Sequence, residues 1–338
     1  GPSGQGHETV FPQIVAQLFG IPAHAIRLRA SDPDGPALAG GGTVGSRSMM
    51  AHGSALAFTA REVIRKGTEL AAKALEAAAG DVEFAQGRFT VKGTDLSIGF
   101  MELARRYGAA LDSQAGITPQ PSYPSGAHVA EVEIDPQTGT VDVLGYVAVD
   151  DCGRVINHTL LEGQLHGGVA QGLGQVLAEH VVYDAASGQL LTGSFMDYAM
   201  PRAGDQPRAI GVHDHSVPAP GNLLGVKGAG EAGTVGALPA GANAVIDALR
   251  PLGIHHLDLP YTPLRLWQAM ARRVTGRDAK THVIDQFDGL LIAEASAANT
   301  PLSLAMFTCT TPSFAVPSAS LPAISAMKKA RSRSIAPA

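Results

Sequence analysis

One carboxylate inside a glycine loop is the feature of this sequence that most directly suggests chemistry. In GVKGAGEAGTVGALPAGANAVIDAL, residues 225–249, Glu231 lies between Gly230 and Gly233, with Gly228 just before them. The three glycines spell GxGxxG ahead of a helix-like run, the pattern of a dinucleotide-binding turn. The context argues against that reading. Such a turn follows a buried hydrophobic strand, whereas SVPAPGNLLGVK precedes this one, and a carboxylate beside a pyrophosphate adds repulsion where donors are needed. GGGTVG, through Gly40, Gly42 and Gly45, fits the same pattern and also lacks the strand. The loop makes better sense as backbone donors around an oxo-anionic or phosphate-bearing cofactor, with Glu231 reaching past it to the reacting centre.

Three further segments share that character: SGQGHET at 3–9, GTVGSRS at 42–48 and HGGVAQGLG at 166–174. Successive N–H groups in glycine turns form anion-binding nests, and helix N-termini add a favourable dipole. Gln5, Ser46, Ser48 and Gln171 supply side-chain donors and acceptors in these segments, and Arg47 and Lys227 are cations that could neutralise phosphate. The histidine pairs in HDH (213–215) and HH (255–256) lack a third ligand at metal-binding spacing and read as surface or packing residues. GSRS and GSF are not GxSxG, so a serine hydrolase has little support.

Helices and hairpins must carry these turns. Residues 8–19 have apolar positions at helical spacing up to Gly20, and 54–79, rich in Ala, Leu, Glu and Lys, read as a long helix ended by Gly80. IRLRA at 26–30 reads as a short strand. DVEFAQGRFTVKG reads as a hairpin turning at Gln86-Gly87, and residues 128–151 as a second one turned by DPQTG. VVYDAASGQLLTGSF reads as a third. Residues 157–179 have a helical period yet contain Gly163, Gly167, Gly168, Gly172 and Gly174, each costing up to about 1 kcal/mol against alanine in a helix interior. That expense implies close helix packing or close approach to a ligand. Two more helices are expected over about 237–249 and 262–272. No strand–helix–strand rhythm emerges, so the expected class is α+β.

With 338 residues, 45% of them apolar, the chain is long enough for about two domains. A net charge of -5 without a basic patch argues against nucleic acid or an anionic membrane surface as partner. Two cysteines, Cys152 and Cys309, are too few for a disulfide framework or an iron–sulfur site and suggest a cytoplasmic setting. No apolar run approaches the ~20 residues needed for a membrane span. After about residue 274 the sequence becomes rich in Ala, Ser, Thr and Pro, and disorder is the expectation for 274–338.

GQGHET, GTVGSRS, VDDCGRVIN, EGQLHGGVAQGLGQ, GSFMDYAMPRA, GVKGAGEAGTVGA and LPYTPLRLW occur in an order that resembles the C-terminal half of the molybdopterin-binding large subunit of the xanthine dehydrogenase and aldehyde oxidase family, in its carbon-monoxide-dehydrogenase-type branch. The resemblance runs over residues 3–272. It implies an α+β cofactor-binding domain of two related lobes, 1–125 and 126–273, in a molybdopterin-dependent hydroxylase. The cofactor would be molybdenum–molybdopterin, as such or as the cytosine dinucleotide, and the substrate a small carbonyl compound, an N-heterocycle or carbon monoxide. Gly4, Gln5, Gly45, Ser46, Ser48, Gln171, Gly228 and Gly230 would hold the cofactor; Glu231 would be the catalytic base. The resemblance further implies an iron–sulfur small subunit and an FAD medium subunit as partners, and a separate N-terminal half of the large subunit. A non-catalytic remnant or accessory cofactor-binding module is the alternative.

Overall fold

A computed structural model describes residues 1–30, 32–35, 42–118, 120–275 and 303–309. The chain divides into two compact units. The first contains Gly1–Tyr123, Cys152–Leu161 and Ser216–Gly228; the second contains Pro124–Asp151, Glu162–His215 and Ala229–Ala338. Each has its own core, and the fold is α+β.

In the first unit, α1 (His7–Phe19) buries Val10, Phe11 and Ile14 along one stripe and ends at Gly20, whose N–H bonds to the Ala16 carbonyl. A single π-turn, Met49–Gly53, leads into α2 (Ser54–Ala74). That helix stops five residues short of the expected Ala79. Glu76 adopts φ 53°, and the N–H of Ala77 returns to the carbonyl of Ala72, a Schellman ending built without the glycine that normally announces it. Next come β1 (Val82–Ala85), β2 (Arg88–Val91) and β3 (Ser97–Gly99), an antiparallel sheet in that order, then α3 (Phe100–Tyr107). Gln86 and Gly87 both have positive φ, 47° and 74°, the type I′ geometry that matches the twist of a two-residue hairpin. Phe89, fully buried, lies against Gly67 of α2, where a Cβ would fall 2.5 Å from its Cζ. The strand expected over 26–30 does not form. Ala23–Ala25 is a 3-10 turn, and the backbone after it joins no ladder among the described residues.

The second unit is built on a four-stranded sheet in the order β6-β5-β4-β7. β4 (Ser125–Ile134) and β5 (Val141–Asp151) form the expected long hairpin, with a bulge between Glu131 and Val132. Its turn is an Asx-type structure in which Asp135 accepts from the N–H of Gln137 and the hydroxyl of Thr138. β6 (Ile210–Asp214) runs parallel to β5. β7 (Ser303–Cys309) pairs antiparallel with β4. The expectation of disorder over 274–338 otherwise falls outside the described residues, apart from the last turn of α6. Three helices complete the unit: α4 (His158–Leu177), which begins in the first, α5 (Ala232–Leu249) and α6 (Pro263–Thr275). α5 starts five residues before the expected boundary, directly after Glu231. The third hairpin contracts to one bridge, Tyr183 to Leu190. Val169, Leu173 and Val176 of α4 meet Ala237, Ala240, Ala244 and Val245 of α5 over the inward side chains of β4 and β5. No helix among the described residues is long and apolar enough to cross a membrane.

Gly139 closes the β4–β5 turn at φ +75°, and a Cβ there would fall 2.1 Å from the carbonyl oxygen of Pro263 at the start of α6. Gly139→Ala therefore combines an unfavourable backbone conformation with a backbone clash. It should cost more than about 2 kcal/mol, read as a lower urea midpoint at unchanged slope.

Candidate functional site

The site residues of the second unit depend on how closely α4 and α5 approach. A Cβ at Gly233 would lie 2.4 Å from the Leu165 carbonyl oxygen and 2.9 Å from the Val169 nitrogen. On the facing helix, a Cβ at Gly168 would meet Gly233 Cα at 2.9 Å, and one at Gly172 would meet the Thr234 carbonyl at 2.9 Å. Backbone thus packs on backbone. Thr234 then seals the contact: its hydroxyl lies 3.1 Å from the Gly168 carbonyl oxygen and 3.3 Å from Gln171 Oε1. Glu231 is exposed at the N-cap of α5, one turn before Thr234, and its carbonyl accepts from the N–H of Val235. Gln171, inside α4, is thereby brought to the opening turn of α5, which Glu231 caps.

In the first unit, residues 225–228 lead into the glutamate loop and are held on two sides. The N–H of Arg154 donates to the Gly225 carbonyl, and that of Lys227 to the Cys152 carbonyl. Gly228 rests on the 42–48 turn, where a Cβ would lie 2.8 Å from the Ser46 carbonyl oxygen. In that turn Gly45 and Ser46 are successive left-handed residues, φ 60° and 55°, a conformation that costs a non-glycine residue about 1 kcal/mol or more. Arg47 does not point to open solvent alone; its Nε donates to the Gly42 carbonyl at 3.0 Å. Gly4 and Gln5 form the turn into α1, with the Ser3 N–H donating to Gln5 Oε1. Gly4, Gly42 and Gly45 have open space where a Cβ would be.

A family profile described as the molybdopterin cofactor-binding domain matches residues 1–207. The chain belongs to the molybdopterin cofactor-binding domain family. It is 37% identical to the carbon monoxide dehydrogenase large chain of Hydrogenophaga pseudoflava over 79% of this chain and 34% of that protein. The carbon monoxide dehydrogenase structure from Oligotropha carboxidovorans superposes with a TM-score of 0.73 at 35% identity, over 82% of this chain and 35% of that one. Quinoline 2-oxidoreductase from Pseudomonas putida 86 gives 0.70 at 35%, over 81% and 36%. The chain spans about a third of the length of the curated relatives it matches.

The first unit has donors suited to the cofactor of such a domain. The hydroxyl oxygens of Thr43 and Ser48 are shielded from solvent with no protein hydrogen-bond partner. A buried hydroxyl left unpaired costs about 1–3 kcal/mol, which makes both costly features of the 42–48 turn. Thr43 was not singled out from sequence, although it stands within GTVGSRS between residues that were. Arg27 and Arg29 were also missed, because 26–30 reads as a strand. Released from any ladder, they line a depression of about 200 Å³ with Pro2, Glu8, Leu28 and Asp32, next to the Gly4–Gln5 turn in sequence. Both arginines are exposed, and Asp32 holds Arg29 through Nε–Oδ2 at 2.7 Å. His213, His215, His255 and His256 are exposed, and no three His, Cys, Asp or Glu cluster for a metal among the described residues.

The helical glycines separate into two kinds. Gly163 and Gly167 have nothing within 4 Å of a built Cβ, whereas Gly168 is closed by backbone. Gly163→Ala should stabilise by about 0.5–1 kcal/mol through helix propensity, and Gly168→Ala should destabilise by about 1–3 kcal/mol through overpacking. Thermal unfolding of the two variants beside the parent checks the opposite signs.

Proposed function

We propose that the chain is the catalytic-base-bearing part of a molybdenum hydroxylase large subunit and that Glu231 is its general base. The observation that carries this is the position of Glu231: an exposed carboxylate at the N-cap of α5, presented by two helices whose glycines bring them into backbone contact. Gly4, Gln5, Gly45, Ser46, Ser48, Gln171, Gly228 and Gly230 would be the residues that contact the pterin and its phosphates, with Thr43 added. Backbone N–H groups and hydroxyls suit an oxygen-rich, anionic group, and the cytosine dinucleotide form would use the greater number of them.

The bound cofactor supplies a two-electron acceptor and a water-derived oxygen. Glu231 would serve as the proton acceptor for that oxygen nucleophile, a contribution worth about 10²–10⁴ in rate for a well-placed base. Gln171, hydrogen-bonded to Thr234, limits the directions in which this end of α5 can shift. The substrate would be a small carbonyl compound, an N-heterocycle or carbon monoxide, a range supported by relatives named for carbon monoxide and for quinoline. Iron–sulfur and FAD subunits would take the electrons, the remaining large-subunit polypeptide would complete the substrate side, and the assembly would be cytoplasmic.

Co-expression with cofactor-synthesis machinery and the rest of the large subunit should yield protein containing molybdenum and pterin, and metal analysis that finds neither would favour the non-catalytic remnant. In the assembled enzyme Glu231→Gln should lower kcat by at least about a hundredfold while pterin content stays at the parent level. Turnover near the parent rate would remove Glu231 from the mechanism.

A further inference from the structure

Beneath α5 lies a buried polar cluster that the reaction above does not use. His128 on β4 is 3% exposed, and Tyr146 and Asp150 on β5 are 1% and 5% exposed. The hairpin register puts His128 opposite Ala148, so Tyr146 and Asp150, two residues to either side of Ala148, share its face of the sheet. The small Ala148 leaves room for the imidazole to reach both: Nδ1 lies 2.7 Å from the Tyr146 hydroxyl, and Nε2 lies 3.2 Å from Asp150 Oδ1. Burial, and after it the charge of Asp150, raises the Tyr146 pKa far above its ordinary value, so the phenol keeps its proton. A hydroxyl donating to Nδ1 and an Nε2–H donating to Asp150 satisfy both ring nitrogens at once.

Two glycines make space for this cluster. A Cβ at Gly126 would fall 2.1 Å from Asp150 Oδ1. A Cβ at Gly236, on α5, would fall 2.4 Å from both Cε1 and Nδ1 of His128 and 2.5 Å from Cδ2. Near-equal distances to three ring atoms mean that the imidazole meets the α5 backbone face-on. Gly236 is five residues after Glu231 and one turn after Gly233, which abuts α4. The opening turns of α5 are therefore seated on α4 at Gly233 and on the His128 ring at Gly236.

We propose that His128 is a positioning residue for Glu231: its ring, oriented by Tyr146 and Asp150, sets the height of α5 over the sheet and so the place of the carboxylate at its N-cap. The inference rests on the general-base reading of Glu231. A purely packed contact would need no hydrogen-bonding ring, since an apolar side chain of similar volume avoids the cost of burying polar atoms. What the two hydrogen bonds add is a fixed ring plane, and a fixed ring plane defines a fixed helix position.

The test uses Tyr146→Phe, which removes one orienting bond and keeps the core volume, and His128→Phe, which removes both, in the assembled cofactor-loaded enzyme. Amide hydrogen exchange should quicken about tenfold at residues 232–236 in both variants, with β4 and β5 amides and pterin content as in the parent. Steady-state kinetics should show kcat about tenfold lower with KM within about twofold, the signature of a misplaced base. Unchanged exchange at 232–236 in Tyr146→Phe, or exchange accelerated equally through β4, β5 and α5, would overturn the proposal. Glu231→Gln, measured in parallel, separates the two ideas: full turnover there overturns the general-base reading itself, whatever the exchange data show.

Discussion

Backbone contact between α4 and α5 is the constraint from which the rest of the second unit follows. Three glycines, Gly168, Gly172 and Gly233, remove the side chains that would hold the helices apart. Their presence in helix interiors is expensive, and the expense is offset below them, where Val169, Leu173 and Val176 pack on a row of alanines in α5 that includes Ala237, Ala240 and Ala244. Close approach allows Thr234 to reach both the Gly168 carbonyl and Gln171, and it brings the N-cap of α5 to the face where Gln171 lies. A carboxylate delivered this way stands on two helices and a sheet instead of on a loose loop.

The first unit follows a different logic, in which polar backbone and hydroxyls are left underused. Ser46 holds a left-handed conformation, and Thr43 and Ser48 keep shielded hydroxyls without protein partners. A left-handed non-glycine residue costs about 1 kcal/mol or more, and a buried hydroxyl left unpaired about 1–3 kcal/mol. A left-handed serine and two shielded hydroxyls are thus gathered in a single turn, 42–48.

Local signals were read well where the interaction itself is local. The Gln86-Gly87 hairpin needs two adjacent residues at positive φ, and the Asp135 turn needs one side chain to bond its own backbone, so both are visible in a few letters. The end of α2 was misplaced because Glu76 takes the left-handed position normally given to glycine. The 26–30 strand failed because alternation describes a segment that could pair, and pairing depends on a partner elsewhere in the chain. The His128 cluster was overlooked for the same reason: its three members are separated by 18 and 22 residues, and their meeting depends on register across a bulged hairpin.

The family and the α+β class were determined by sequence alone, because ordered motifs and turn chemistry are properties of short stretches. Composition also showed that the glycines of 157–179 must serve either packing or a ligand. Which glycine serves which end was decided only by tertiary structure. Gly168 and Gly172 close on α5, Gly163 and Gly167 face open space, and Gly236 makes room for a histidine from another element. A missing Cβ has no meaning until the atoms that would have met it are in place, and those atoms come from parts of the chain that sequence proximity does not connect.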